Sequence, residues 1–162
     1  MREITARLAV LGLLTVLVGC DHATKLVAKA ELEGRGAHEL IHGVLDLRYA
    51  ENRDVAFNLL RAIPEAVRSP ALIVGGAVAL FALAAALLRR RLQNPVSRTA
   101  LLFLTAGALG NYLDRIGRGY VVDFVHVHHW PVFNVADAYV TVGAAMLALA
   151  AFRTGLVTHG RE

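Results

Sequence analysis

Residues 15–26 read TVLVGCDHATKL, and two incompatible structures are written in them. Read from the left, an apolar run that follows Arg2 and Arg7 closes on Leu-Val-Gly-Cys. That is the ending of a removable leader whose cysteine, Cys20, would be lipidated. Read from the right, Asp21, Thr24 and Lys25 stand at i, i+3 and i+4, the polar end of a helix that stays in place. The rest of the chain decides between them.

A chain of 162 residues suits one domain, here 1–162, and 56% hydrophobic residues is too apolar for a soluble domain of that size. Alanine and leucine dominate and lie in blocks, which makes membrane the default class. The formal charge of +4 comes without a basic helix face interleaved with aromatics. The arginines cluster beside apolar blocks instead, so no nucleic-acid partner is expected. A single cysteine excludes an intramolecular disulfide.

Four segments approach the roughly 20 apolar residues that a membrane helix needs. They cover about residues 6–28, 71–88, 99–113 and 135–152. The loop RRRLQNPVSR between the second and third carries Arg89, Arg90, Arg91 and Arg98 and no acid, and short arginine-dense loops stay cytoplasmic. Both termini are then expected in the cytoplasm, with residues 29–69 and 115–133 outside. In the first outer connection, Leu45, Leu47 and Tyr49 alternate with Asp46 and Arg48, which reads as a short strand. ENRD (51–54) reads as a turn, VAFNLL (55–60) as a possible continuation of the sheet, and PEAVRS (64–69) as one or two turns of surface helix. A leader followed by three further spans is not how a lipidated precursor is built. The first segment is therefore expected to be a permanent helix, with Cys20 a small packing residue.

The polar residues of these helices gather at one membrane depth. Asp21, Thr24 and Lys25 share a face at the outer end of the first span. Asn111, Asp114 and Arg115 follow the same i, i+3, i+4 spacing at the outer end of the third. Asn134 and Asp137 open the fourth, and Asp123 lies in the connection before it. An unpaired charge at such depth costs about 3 kcal/mol. Capping by Asn134 and the pairs Asp114–Arg115 and Asp21–Lys25 would explain most of these residues. They explain Asp137 poorly, because it sits one turn inside an apolar span with no basic neighbour in sequence. Two carboxylates in a partly dry site share one proton and suit peptide hydrolysis, and Asp123 and Asp137 are the candidates. There is no HExxH. His126, His128 and His129 lack acids or cysteines at ligand spacing and read as interfacial histidines, with no metal expected. No serine with a lysine beside it lies within an outer helix end. Gly107 and Gly110 are expected to permit close helix packing.

These residues, in this order, resemble the lipoprotein signal peptidase family, also called signal peptidase II. DHATK is similar to its D-x-x-T-K block and NRDVAF to N-x-G-x-A-F. GALGNYLDR with GYVVDF resembles G-x-x-G-N-x-x-D-R and V-x-D-F/Y, and FNVADA matches F-N-x-A-D. The resemblance implies a mainly α membrane fold of four transmembrane helices with a small extracytoplasmic β-cradle and a short surface helix. It implies an intramembrane aspartyl peptidase of the bacterial inner membrane with Asp123 and Asp137 as its dyad. Asn52, Asn111, Arg115 and Asn134 would shape the site or hold the substrate backbone, and Asp21, Lys25 and Asp114 would support the structure. No metal or organic cofactor is implied. The partners would be membrane lipids and prolipoproteins carrying diacylglyceryl-cysteine, cut just before that cysteine. Asp54 stands where the family has glycine, a residue that often marks positive φ or close backbone approach. On the residues alone, two other readings stay open. One is a proton-coupled carrier titrating Asp137; the other is a helical partner subunit whose polar ends form an interface.

Overall fold

In the computed structural model, residues 2–54, 63–88 and 94–159 are described. Their elements are α1 (Arg2–Leu32), β1 (His38–Ile41), β2 (Leu45–Asn52), α2 (Glu65–Leu88), α3 (Pro95–Arg118), β3 (Val121–Val127) and α4 (Val135–His159). Among the described residues, three helices are long and apolar enough to cross a membrane, over Arg7–Leu32, Glu65–Leu88 and Val135–Arg153. Four such spans were expected. The remaining helix, α3, matches α2 in length at 24 residues but not in apolarity. The reason lies in its position, because α3 touches each of the other three helices. A helix surrounded by helices presents small and polar residues to its neighbours where an outer helix presents aliphatics to lipid.

Small residues set how close the helices come. A Cβ at Gly107 would collide with the Ala136 carbonyl oxygen and with Val140, and one at Gly143 would lie 2.7 Å from the Ala100 carbonyl oxygen. The α3–α4 seam is thus closed by glycine on both sides, as the spacing of Gly107 and Gly110 led one to expect. Local signals fix the ends of α3. Asn94 accepts from the Val96 N–H at 2.9 Å and Pro95 occupies the first turn. At the other end Gly119 takes φ +78 and returns its N–H to the Arg115 carbonyl. Leu87, Leu101 and Leu102 form a buried cluster against Val10, Leu14 and Leu17 of α1. Phe81 and Phe152 point outward, about three-quarters exposed, as side chains in contact with lipid would.

The sheet has strand order β1-β2-β3, antiparallel throughout. The β1–β2 turn closes with the Val44 N–H on the Ile41 carbonyl and has Gly43 at φ +67. The strand expected around residues 45–49 is present but runs on to Asn52, so Glu51 and Asn52 are strand and not turn. They pair with Val122 and Val121, partners that alternation within β2 cannot reveal. Two strands escaped the sequence reading altogether. β1 is four exposed residues, and β3 carries four consecutive buried ones, Val121 to Phe124, so neither shows a period of two. PEAVRS is helical from Glu65, yet it is continuous with α2 rather than a separate surface helix. Pro70 forfeits one hydrogen bond near the helix start, which does not stop the helix. VAFNLL lies outside the described residues. Cys20 is exposed on α1 and not a packing residue, since the helix turns its polar face, not this one, toward the bundle.

Candidate active site

The chain brings Asp123 and Asp137 together by folding back on itself. After β3 it turns at His129, whose φ is +65. It then returns so that Phe133 bridges Val125, with the Phe133 N–H on the Val125 carbonyl at 2.9 Å and the Val125 N–H on the Phe133 carbonyl at 2.8 Å. The next residue, Asn134, caps α4. Its Oδ1 accepts the Asp137 N–H at 3.0 Å, while Asp137 Oδ2 accepts the Asn134 N–H at 3.2 Å. This is a reciprocal capping box. The same Asn134 donates from Nδ2 to Asp123 Oδ1 at 2.6 Å. One asparagine therefore holds both carboxyls. Capping and site-building, which the sequence presents as rival explanations of Asn134, are one arrangement.

Three asparagine amides are turned toward the two acids, and each is turned by what its oxygen receives. Asn52 Oδ1 accepts the Asp54 N–H at 3.0 Å, which leaves Nδ2 to donate to Asp123 Oδ2 at 2.8 Å. Asn111 Oδ1 accepts from Lys25 Nζ at 2.9 Å and from Asn134 Nδ2 at 3.1 Å, which leaves its Nδ2 for Asp137 Oδ1 at 2.8 Å. The Asn134 oxygen holds the Asp137 N–H, as above. An amide whose oxygen is fixed by a donor can offer only its N–H bonds on the other side. All four carboxyl oxygens accordingly receive a hydrogen bond.

Behind this layer lies a buried ionic cluster. Lys25 Nζ sits 2.7 Å from Asp21 Oδ2 and 2.9 Å from Asp114 Oδ2, with all three side chains almost fully enclosed. Asp21 also accepts the Ala136 N–H of α4 at 2.9 Å, so α1 supplies a cap to α4. A Cβ on Gly110 would stand 2.6 Å from Asp21 Oδ2, which explains the second glycine of the pair. The pair Asp21–Lys25 is present as expected, but Asp114–Arg115 is not. Asp114 faces Lys25 and Arg118 (3.1 Å), because consecutive helical residues point in different directions while i and i+4 share a face. Arg115 instead donates to the backbone carbonyls of Asp54 at 3.0 Å and Asn111 at 3.3 Å.

A cavity of about 400 Å³ opens onto this layer and is bordered by Asn52, Asp54, Asn111, Arg115, Asp123 and Asp137, with Gly75 and Gly76 of α2 on its apolar side. Burial pushes the Asp123 carboxyl up to about 6. The nearby Asp137 acts in the same direction, and the hydrogen bonds from Asn52 and Asn134 act against it. Asp54, which the motif resemblance sets against a glycine, does not take positive φ; among the described non-glycine residues only His129 has it. Its side chain is buried, with Oδ2 3.5 Å from Arg68. Sequence reasoning missed Arg68, Arg118 and the reach of Lys25 to Asn111. Only the helix-face position of Lys25 hinted at the last. His126 lies 2.8 Å from Asp46, and among the described residues no group of three or more histidines, cysteines or acids is arranged to hold a metal.

Comparison with known proteins gives the chain its family and its fold. A family model described as Signal peptidase (SPase) II matches residues 13–153. The lipoprotein signal peptidase of Syntrophotalea carbinolica is 36% identical over 146 residues, covering 88% of this chain and 89% of its own length. That of Nitratidesulfovibrio vulgaris is 36% identical over 157 residues and covers 94% of both. A solved structure of a bacterial membrane enzyme has the same fold, with TM-score 0.79 at 24% identity over 95% of this chain and 92% of that one. With its apolar helices and its buried polar layer, the chain is an integral membrane protein belonging to the signal peptidase II family, proteases of lipoprotein processing.

Proposed function

We propose that the protein is an intramembrane aspartyl endopeptidase that removes signal peptides from diacylglyceryl-modified prolipoproteins, cutting just before the lipidated cysteine. The observation that carries this reading is the pair of carboxyls, a buried Asp123 and a half-buried Asp137, on one cavity and joined through Asn134. The two share a proton. The ionised member takes a proton from water, whose oxygen attacks the scissile carbonyl carbon, and the protonated member gives its proton to the carbonyl oxygen. When the resulting diol collapses, the first carboxyl passes the proton it took to the leaving nitrogen, and the second recovers its own. Asn52, Asn111 and Asn134 keep the acids in place, and Arg115, on the border of the same cavity, helps shape the site or hold the substrate backbone. The enzyme works from the bacterial inner membrane with both termini in the cytoplasm and the site near the outer leaflet.

The test is cleavage of a diacylglyceryl prolipoprotein in detergent, followed by gel shift. Asp123→Asn and Asp137→Asn should each abolish turnover while the protein stays folded, because amide replaces carboxyl at nearly constant volume yet cannot exchange a proton. Asp114→Asn, one layer behind, should weaken the fold and keep some turnover. Substantial cleavage by either of the first two variants would end the aspartyl assignment.

A further inference from the structure

The molecule contains a second, larger cavity that the peptidase reading does not use. It measures about 800 Å³ and is mostly apolar. Its walls come from the end of α1 (Val27, Ala28 and Leu32 among them), from the α1–β1 connection at Arg35, and from His38, Leu47 and Phe124 of the sheet. Strand β3 separates the two cavities. Asp123 borders the first and Phe124 the second, as alternation along a strand requires. We propose that this second cavity binds a phospholipid of the surrounding bilayer, one acyl chain inside and the phosphate at Arg35.

Three observations favour that occupant. The α1 wall is the last part of a segment apolar enough to cross a membrane, Arg7–Leu32, so the cavity lies where that segment meets the interface. Leu26 and Val27 are 57% and 62% exposed, and the wall therefore runs on into the apolar outer surface of a segment able to cross the membrane. Arg35 stands three residues past the end of α1, where a basic residue flanking a spanning segment is within reach of lipid headgroups. Its partner Glu31 is 2.9 Å away, but both side chains are about two-thirds exposed. Such a pair holds weakly, and a phosphate can replace Glu31 with two parallel hydrogen bonds to the guanidinium. The acyl chains of a prolipoprotein are a poorer match, since their cysteine must lie by the dyad on the far side of β3.

Native mass spectrometry of the full chain released from detergent, with phosphatidylglycerol titrated in, tests this. The wild type should take up one lipid saturably. Val27→Trp fills the cavity and should weaken that uptake about tenfold, and Arg35→Glu should weaken it for phosphatidylglycerol. Leu13→Trp, on an exposed face of α1 outside the cavity, should bind as wild type does. Thermal unfolding of each variant shows whether it is folded. Equal uptake by folded Val27→Trp and wild type would overturn the proposal, as would equal loss in Leu13→Trp, which would mark the lipid as annular. Displacement of the lipid by a diacylglyceryl peptide on Asp123→Asn would give the cavity to substrate and also overturn it. None of these outcomes depends on turnover, so failure here is distinct from failure of the peptidase reading.

Discussion

Asn111 accepts from the Lys25 ammonium on one side and donates to Asp137 on the other, so a residue on α1 decides which way an amide on α3 presents itself to an acid on α4. Lys25 is also the counter-charge of Asp21 and Asp114. Lys25→Met should therefore destabilise the protein by about 3–5 kcal/mol, the typical result of leaving buried charge uncompensated. Denaturation in detergent micelles measures it, and a loss under 1 kcal/mol would mean that water reaches the cluster. Asp123 gives a pH-dependent test. Its carboxyl rises from the ordinary 3.8 to about 6 in the folded chain, and a raised acid favours folding only while it is protonated. That contribution is full below about pH 4 and is lost as pH climbs through about 6. Asparagine loses nothing over that range. The stability of Asp123→Asn relative to wild type should thus rise between pH 4 and pH 8, by up to about 3 kcal/mol for a two-unit shift. A flat difference would mean that Asp123 is not desolvated. Cys20 faces outward, and Cys20→Ala should keep full turnover and chain length by mass spectrometry.

Elements meet in this protein where side chains are missing. α3 and α4 approach through Gly107 and Gly143, and α1 reaches α3 at Gly110. A methyl group at Gly110 pushes on the carboxylate that pairs with Lys25 and caps Ala136. Gly110→Ala is expected to cost about 1–3 kcal/mol, the usual range for overpacking, and to lower turnover, because the displaced cap lies one residue from Asp137. Thermal unfolding and the prolipoprotein assay read the two effects. Wild-type values in both would show that α1 can move away freely.

Across the whole molecule, polar residues collect at one end of an apolar bundle under a small sheet. The arginine-dense loop before α3 sets the expected orientation, with that loop inside and the sheet outside. In a Cys20→Ala background, a cysteine at Arg35 should react with a membrane-impermeant maleimide added to intact cells, and one at Arg98 should not. The reverse pattern would invert the topology.

The sequence by itself determined the membrane class and the approximate helix positions, and it singled out Asp123 and Asp137 as candidate acids. The first two are matters of composition and period and can be read within one segment, while the candidate acids came from comparing the polar ends of several. It left β1 and β3 unread, because one is short and exposed and the other is buried on both faces. It paired Asp114 with its neighbour Arg115 when the partners were Lys25 and Arg118. Tertiary structure alone decided that Phe133 would bridge Val125 and set Asn134 between the two acids, and that the Asn111 oxygen would be taken by donors from α1 and from Asn134. The physical reason is common to all of these. A hydrogen bond depends on which groups are brought within about 3 Å, and residues 86 positions apart, as Lys25 and Asn111 are, carry no local signal that they will meet.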